Sequence, residues 1–348
     1  MTNRLGVEQR DAFYEFELNK AAHTLVTQIR PAAGKQVLIT ADSSSDMRVA
    51  RATAAAVYTA GGVPTLVSYH TLDEPMVEPP QPVLGAAERA EIWYNFAVAY
   101  QLYSPAYEAA VENGCIYVEL TGMDVDMMVR TIGRVNHGPM EEMKRWLYRE
   151  SQKAETVRVT TQLGTDLRMT IDKGGDKFWE DPPAEGGFGQ MLGGQSGFMA
   201  YRESYEGVLV FDGTIWPPSE IGLLRTPVKL TLEGGYITKF EGGAQAAIFE
   251  RWLKGFDHPQ AFLMDHACYG FNPGVSGPTG RILEDERVFG CMQYGIGAAE
   301  LGSPVHTDGV VLNPSIWLDD VQIEENGRYI HPDLIDYCKR MGAPGYEE

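Results

Sequence analysis

Cysteine is scarce in this chain of 348 residues: four, at positions 115, 268, 291 and 338, with no Cys-x-x-Cys pair. That scatter excludes a disulfide framework and a thiolate zinc site, and leaves four isolated thiols expected in the interior. Positive charge is also short. Against 48 acids there are 29 bases, a formal net charge of -19, and no run of Lys or Arg forms a phosphate-binding stripe. Nucleic acid and anionic membrane are therefore not expected as partners. No apolar stretch approaches the roughly 20 residues that a membrane-spanning helix needs. The opening Met1-Thr-Asn-Arg-Leu-Gly-Val-Glu-Gln-Arg lacks the apolar core of a secretory signal, so a cytoplasmic protein is expected. The segment after the first strand-like run, Thr40-Ala-Asp-Ser-Ser-Ser-Asp, has no glycine, which excludes the dinucleotide fingerprint and with it a nicotinamide or flavin enzyme.

What is present suggests two domains, 1–155 and 156–348. In the first, KQVLITAD and VPTLVSY read as strands with an Ala-rich helix between them that ends at Gly61-Gly62. AEIWYNFAVAY, PAYEAAVENG and CIYVEL continue the strand-helix-strand alternation, which predicts an α/β domain with an open, mostly parallel sheet. After the helical HGPMEEMKRWLYRESQKA the texture changes to short alternating runs split by glycines, such as VRVTTQLGTDLRMTID and VKLTLEGGYITKFEGG. A β-rich α+β metal-binding domain follows from that change. The Gly/Pro-rich stretch from 181 to 197 is a candidate pocket wall.

Seven histidines allow each to be weighed. His23, His70, His137, His258 and His331 have no ligand-type neighbours and read as surface or capping residues. His306 and Asp308, in SPVHTDGVVLNPSIWLDD, are two apart; in an extended chain both side chains leave the same face. They could bind a metal, or simply hydrogen-bond to each other or to turn backbone. His266, beside Asp265 in FLMDHACYGFNPG, lies on an apolar element that must satisfy a polar pair. WLDD and the Glu324-Glu325-Asn326-Gly327 stretch read as turn and hairpin chemistry.

The segments EGVLVFDG, LTLEGGYITKFEGGAQA, DHACYGFNPG and PVHTDGVVLNPSIWLDD, in that order, resemble the 2,5-dihydroxypyridine 5,6-dioxygenase family, and LYSPAYE extends the likeness into the first half. That family shares its fold with the aminopeptidase T-type metallopeptidases. The peptidase acids are missing: the chain has His266 and Phe198 at positions resembling peptidase glutamates, and no histidine in FGCMQYG. What remains, His266, His306 and Asp308, implies the facial triad of a mononuclear non-heme Fe(II) oxygenase, whose open positions take substrate and O2.

The resemblance thus implies a ring-cleaving dioxygenase acting on a hydroxylated aromatic, with Fe(II) as cofactor. The expected partners are a small aromatic substrate and O2, within a homo-oligomer. Two departures bear on specificity. Tyr103 stands where the pyridine enzymes carry a histidine, and a phenol with a reference pKa near 10 donates a proton better than it accepts one. Gln190, Met191 and Gln195 stand where another histidine is expected; Gln190, Gln195 and Phe198 are the expected substrate contacts, with Tyr103 the catalytic proton donor. The alternatives are a zinc hydrolase on the same fold and a binding protein without metal.

Overall fold

The computed structural model describes residues 14–73, 77–174, 187–188, 192–298 and 301–347. The chain forms two compact units, Met1–His137 with Pro182–Gly193, and Gly138–Asp181 with Gly194–Glu348.

In the first unit, apolar runs alternate with helices and so build a parallel sheet. Its strands lie in the order Val63–Tyr69, Gln36–Asp42, Ile92–Asn95, Ile116–Glu119 and Gly187–Phe188. The helix Met47–Thr59 begins where the Asp46 carboxylate accepts from Arg48 N, satisfying an otherwise unpaired amide. It stops just before Gly61, whose φ of 87° suits a residue without Cβ. Ser104 caps Pro105–Glu112 in the same way, through Tyr107 N.

Thr40, Asn95 and Glu119 are direct neighbours across three strands. Thr40 donates to Asn95 Oδ1 at 2.7 Å and Asn95 donates to Glu119 Oε1 at 3.0 Å, a buried polar row with its partners supplied internally. The strand expected across AEIWYNFAVAY ends at Asn95. Asp42 Oδ2 accepts from Val98 N at 2.8 Å and Ala99 N at 3.2 Å, and that capture draws the chain out of the sheet.

The second unit begins earlier than residue 155. The helix His137–Lys153 belongs to it because its partners do: Lys144 O accepts from Ser196, Ser151 hydrogen-bonds Tyr269 Oη, and Trp146 donates to Asp333. Its strands form two antiparallel sheets. One has six strands in the order Gly222–Leu223, Thr214–Trp216, Thr307–Leu312, Cys291–Ile296, Met264–Gly270 and Gln195–Met199. The other has eight, from Tyr236–Glu241 at one edge to Arg328–Tyr329 at the other. The sheets meet where the Phe211 ring covers Gly309, so closely that a Cβ there would lie 2.4 Å from the ring. Gly309 pairs with Tyr294, which is fully buried on the same side. One face of the six-stranded sheet is thus core, and alternation leaves its other face for polar groups.

The four cysteines are buried free thiols, as expected. Asn326 and Gly327, at φ 48° and 76°, form the expected hairpin turn, and Asp319 accepts from the backbone of Glu155 and Thr156. No helix among the described residues is long and apolar enough to cross a membrane.

Glu324, on the strand Val321–Glu325, is fully buried, and neither carboxyl oxygen meets a hydrogen-bond partner among the described residues. Burial raises its pKa well above the usual carboxylate range. The folded chain therefore binds a proton that the unfolded chain releases, so stability falls as pH rises from the unfolded value toward the folded one. Glu324→Gln is expected to melt at a higher temperature than the parent at pH 8, with the gap closing toward pH 4; thermal unfolding across that range measures it. A gap independent of pH would show that Glu324 is not held neutral.

Candidate metal centre

The polar face of the six-stranded sheet gathers its chemistry on three adjacent strands. Asp308 lies on Thr307–Leu312 and His306 immediately before it; alternation sends both to the same face. Asp308 pairs with Gly295 on the neighbouring strand. On the third strand the pairing is irregular: Met264 faces Ile296 but Ala267 faces Tyr294, so Asp265 and His266 together oppose Gly295. A bulge of this kind lets two consecutive side chains converge on one spot. Gly295 leaves the room for them. A Cβ there would sit 2.4 Å from His266 Cε1 and 2.6 Å from its Nδ1.

The result is two imidazoles, with ring centroids 5.4 Å apart and planes inclined by 22°, between two carboxylates. On one side, Asp265 Oδ2 is 3.1 Å from His266 Nδ1 and 3.8 Å from His306 Nδ1. On the other, Asp308 Oδ1 is 3.7 Å from His266 Nε2 and 3.4 Å from His306 Nε2. Asp265, His266 and His306 each offer a donor atom within 4.8 Å of the others, a cluster that could hold a metal ion.

Hydrogen bonds decide which nitrogens are available. Gly297 O, which can only accept, is 3.0 Å from His306 Nδ1, so that nitrogen carries the proton. His266 Nδ1 donates to Asp265, whose other oxygen is paired with Arg202 at 2.9 Å. In the neutral rings both lone pairs are then on Nε2, turned toward Asp308. This is how a metal-binding histidine is oriented by the partner of its other nitrogen. The Gln293 carboxamide shares the space: its Nε2 is 3.2 Å from His266 Nε2 and hydrogen-bonds Asp308 Oδ1.

The electrostatics favour positive charge here. Burial opposes a charge on His306, but Asp308 and Asp265 outweigh it and push its pKa up to about 10. His266 is raised likewise, burial being overcome by Asp265 and then Asp308, while Asp265 itself is lowered against its burial by the two histidines and Arg202. Glu286, buried close by, is pushed up to about 7 by burial and by the charge of Asp308, against the pull of Arg287. A divalent ion would answer the same field. Two imidazole nitrogens and a carboxylate, backed by fixed hydrogen bonds, make a donor set that fits Fe(II) or Zn(II).

The family model of NicX, 2,5-dihydroxypyridine 5,6-dioxygenase, matches residues 17–331. The chain belongs to this family. A curated relative, the 2,5-dihydroxypyridine 5,6-dioxygenase of Pseudomonas putida, is 29% identical over 155 residues, 40% of this chain and 44% of the relative. The chain thus spans less than half the length of that relative. The structure of 2,5-dihydroxypyridine dioxygenase from Pseudomonas putida KT2440 superposes with a TM-score of 0.71 at 17% identity, over 93% of this chain and 99% of that one. Wild-type AmpT from Thermus thermophilus gives 0.66 at 14%, over 91% and 100%. At these identities the structural likeness is one of fold: an α/β unit followed by a β-rich one, as the sequence led us to expect.

Within this member of the dioxygenase family, His266, His306 and Asp308 come together. The other expected site residues fare differently. Phe198 pairs with Ala267, not with His266, and packs against Tyr269 with ring centroids 5.6 Å apart and planes inclined by 51°, fully buried on the core face of the sheet; its expected place beside a substrate is corrected by that alternation. Gln195 is buried with both amide ends engaged, Oε1 accepting from Arg287 at 2.7 Å and Nε2 donating to Glu286 at 3.3 Å. It braces that ion pair instead of presenting a free amide. Tyr103 is 64% exposed in the first unit, at φ 64°, edge-on to Tyr107 at 6.0 Å. Gln190 and Met191, with most of the 181–197 stretch, lie outside the described residues.

Sequence reading missed Gly295, Gln293 and the orienting role of Asp265, because all three depend on strand pairing. It also missed Trp216, which pairs with Asp308 and so shares its sheet face. Of the remaining histidines, His258 and His331 accept from Gln260 N and Asp333 N, the capping role expected.

Gly295→Ala tests the geometry. Its methyl group would displace the His266 ring, so divalent-metal affinity is expected to fall about 10- to 100-fold, as for lost outer-shell support, with the sheets intact. Competition with a fluorescent chelator, beside circular dichroism, measures both. Unchanged affinity would mean that the ring does not lie over this strand.

Proposed function

We propose that this chain is a mononuclear non-heme Fe(II) dioxygenase that opens the ring of a hydroxylated aromatic, a nitrogen heterocycle of the dihydroxypyridine kind. The observation that carries the reading is the approach of His266 Nε2 and His306 Nε2 to one oxygen of Asp308, at 3.7 and 3.4 Å, with both Nδ1 atoms hydrogen-bonded behind them. Family membership and the name of the curated relative support the reaction class. On this reading His266, His306 and Asp308 are the ligands, and Asp265 is their orienting carboxylate.

Fe(II) held there would supply open coordination positions for substrate and O2 and a redox-active centre through which the substrate's own electrons reach O2. The protein's own share is orientation and electrostatics. Asp265, anchored by Arg202, holds the His266 ring against rotation. A single ligating carboxylate leaves a divalent ion with net positive charge, which favours the ionised form of a substrate hydroxyl. Trp216 brings an indole to the same sheet face, a flat surface suited to an aromatic ring. Tyr103 is our proton donor. Its positive φ is unusual for a residue with a large side chain, and strained backbone of this kind clusters at functional sites. A cytoplasmic location and a homo-oligomer go with this reading.

An aminopeptidase T-type zinc hydrolase is the competing reading, since zinc accepts the same donors. Oxygen-electrode measurements on metal-stripped protein separate the two. Fe(II) should restore O2 uptake with 2,5-dihydroxypyridine and Zn(II) should not, while His306→Ala should abolish it. Tyr103→Phe should keep its iron and lose about 10²- to 10⁴-fold in turnover, the range for a lost proton donor. Peptide hydrolysis with Zn(II), and no O2 uptake with a panel of dihydroxypyridines and dihydroxybenzenes, would reverse the assignment.

A further inference from the structure

Gln293 lies on the strand Cys291–Ile296, two residues from Gly295 and therefore on the same face, with 1% of its surface exposed. Its amide nitrogen faces the two atoms that a cation would use, His266 Nε2 at 3.2 Å and Asp308 Oδ1 through a hydrogen bond. Its oxygen is buried and meets no hydrogen-bond partner among the described residues. Such an orphaned acceptor is destabilising, and a buried polar group of this kind asks for an explanation.

We propose that Gln293 is a fourth side chain of the metal centre, presenting its carboxamide oxygen to the bound ion. The inference rests on the reading of His266, His306 and Asp308 as ligands. The carboxamide is planar and nearly symmetric in shape, so a half-turn about its last side-chain bond exchanges oxygen for nitrogen with little change in packing. Without a cation that turn is opposed, because the oxygen would face the Asp308 carboxylate. With a cation among these atoms the preference reverses: oxygen turns inward to the positive charge and N–H turns away. The orphaned oxygen thus gains a partner when metal is bound. Being neutral, it adds a donor without cancelling the charge that draws an anionic substrate.

The test uses full-length, metal-stripped protein titrated with Co(II), read by calorimetry and by the visible d–d bands. Gln293→Leu removes the donor while keeping similar bulk, and should raise the dissociation constant about 10- to 100-fold, the scale for lost support at a metal site, with altered bands. Gln293→Glu keeps an oxygen at the same reach and adds charge, so it should bind at least as tightly as the parent. Circular dichroism of the metal-free variants reports folding; should Gln293→Leu fail to fold, Gln293→Asn, whose oxygen falls short, takes its place with the same expected weakening. Affinity within twofold of the parent and unchanged bands overturn the proposal. So does tighter binding by Gln293→Leu, which would make the amide a competitor of the ion. His306→Ala separates this from the underlying reading: if it binds Co(II) as the parent does, the centre itself is misassigned, whereas weak binding there with unchanged binding in Gln293→Leu removes only the fourth donor.

Discussion

One close approach organises the second unit of this protein: the His266 ring lies over the backbone of Gly295, where any side chain would collide with it. Gly295 is at once the partner of Asp308 in the ladder and the residue opposite the Asp265-His266 irregularity. Three strands therefore deliver their polar groups to one point only because the middle strand carries nothing there. The bulge turns both Asp265 and His266 toward that point. Regular pairing would have sent one of them into the core, against the sheet whose Phe211 fills the other side through a second glycine, Gly309.

Much of the fold could be read from the chain. Strands and helices of the first half followed from apolar runs and a stop at Gly61-Gly62, because those signals are local. Errors arose where a distant residue intervened. The strand at Ile92 was read too long because Asp42 captures the amides of Val98 and Ala99. The unit boundary was placed too late because the helix His137–Lys153 takes its partners from Ser196, Tyr269 and Asp333. For the site, the spacing of His306 and Asp308 revealed a shared face. His266 could be joined to them only through family resemblance, since nothing local announces a bulge. Phe198 and Gln195 were drawn toward a substrate by that same resemblance. Strand register sends the first into the core, and the second is engaged by the Glu286–Arg287 pair.

The charge pattern around the centre favours a cation there. Acids outnumber bases on the chain, yet here the carboxylates are arranged, not merely abundant: Asp265 behind the imidazoles with Arg202 at its back, Asp308 in front, and Glu286 further in against Arg287. Fold alone does not choose the reaction, since the chain superposes on both a dihydroxypyridine dioxygenase and AmpT. Two imidazoles and one forward carboxylate would suit iron or zinc alike, so our choice of reaction rests on membership of the dioxygenase family.

X-ray absorption on the iron-loaded protein tests this most directly. The account predicts one iron per chain, with nitrogen and oxygen donors at about 2.0–2.2 Å, the multiple scattering of two imidazoles, and loss of one imidazole in His266→Ala. Two metals per chain with a metal–metal vector at roughly 3.5–4 Å, or an imidazole count unchanged in His266→Ala, would contradict it.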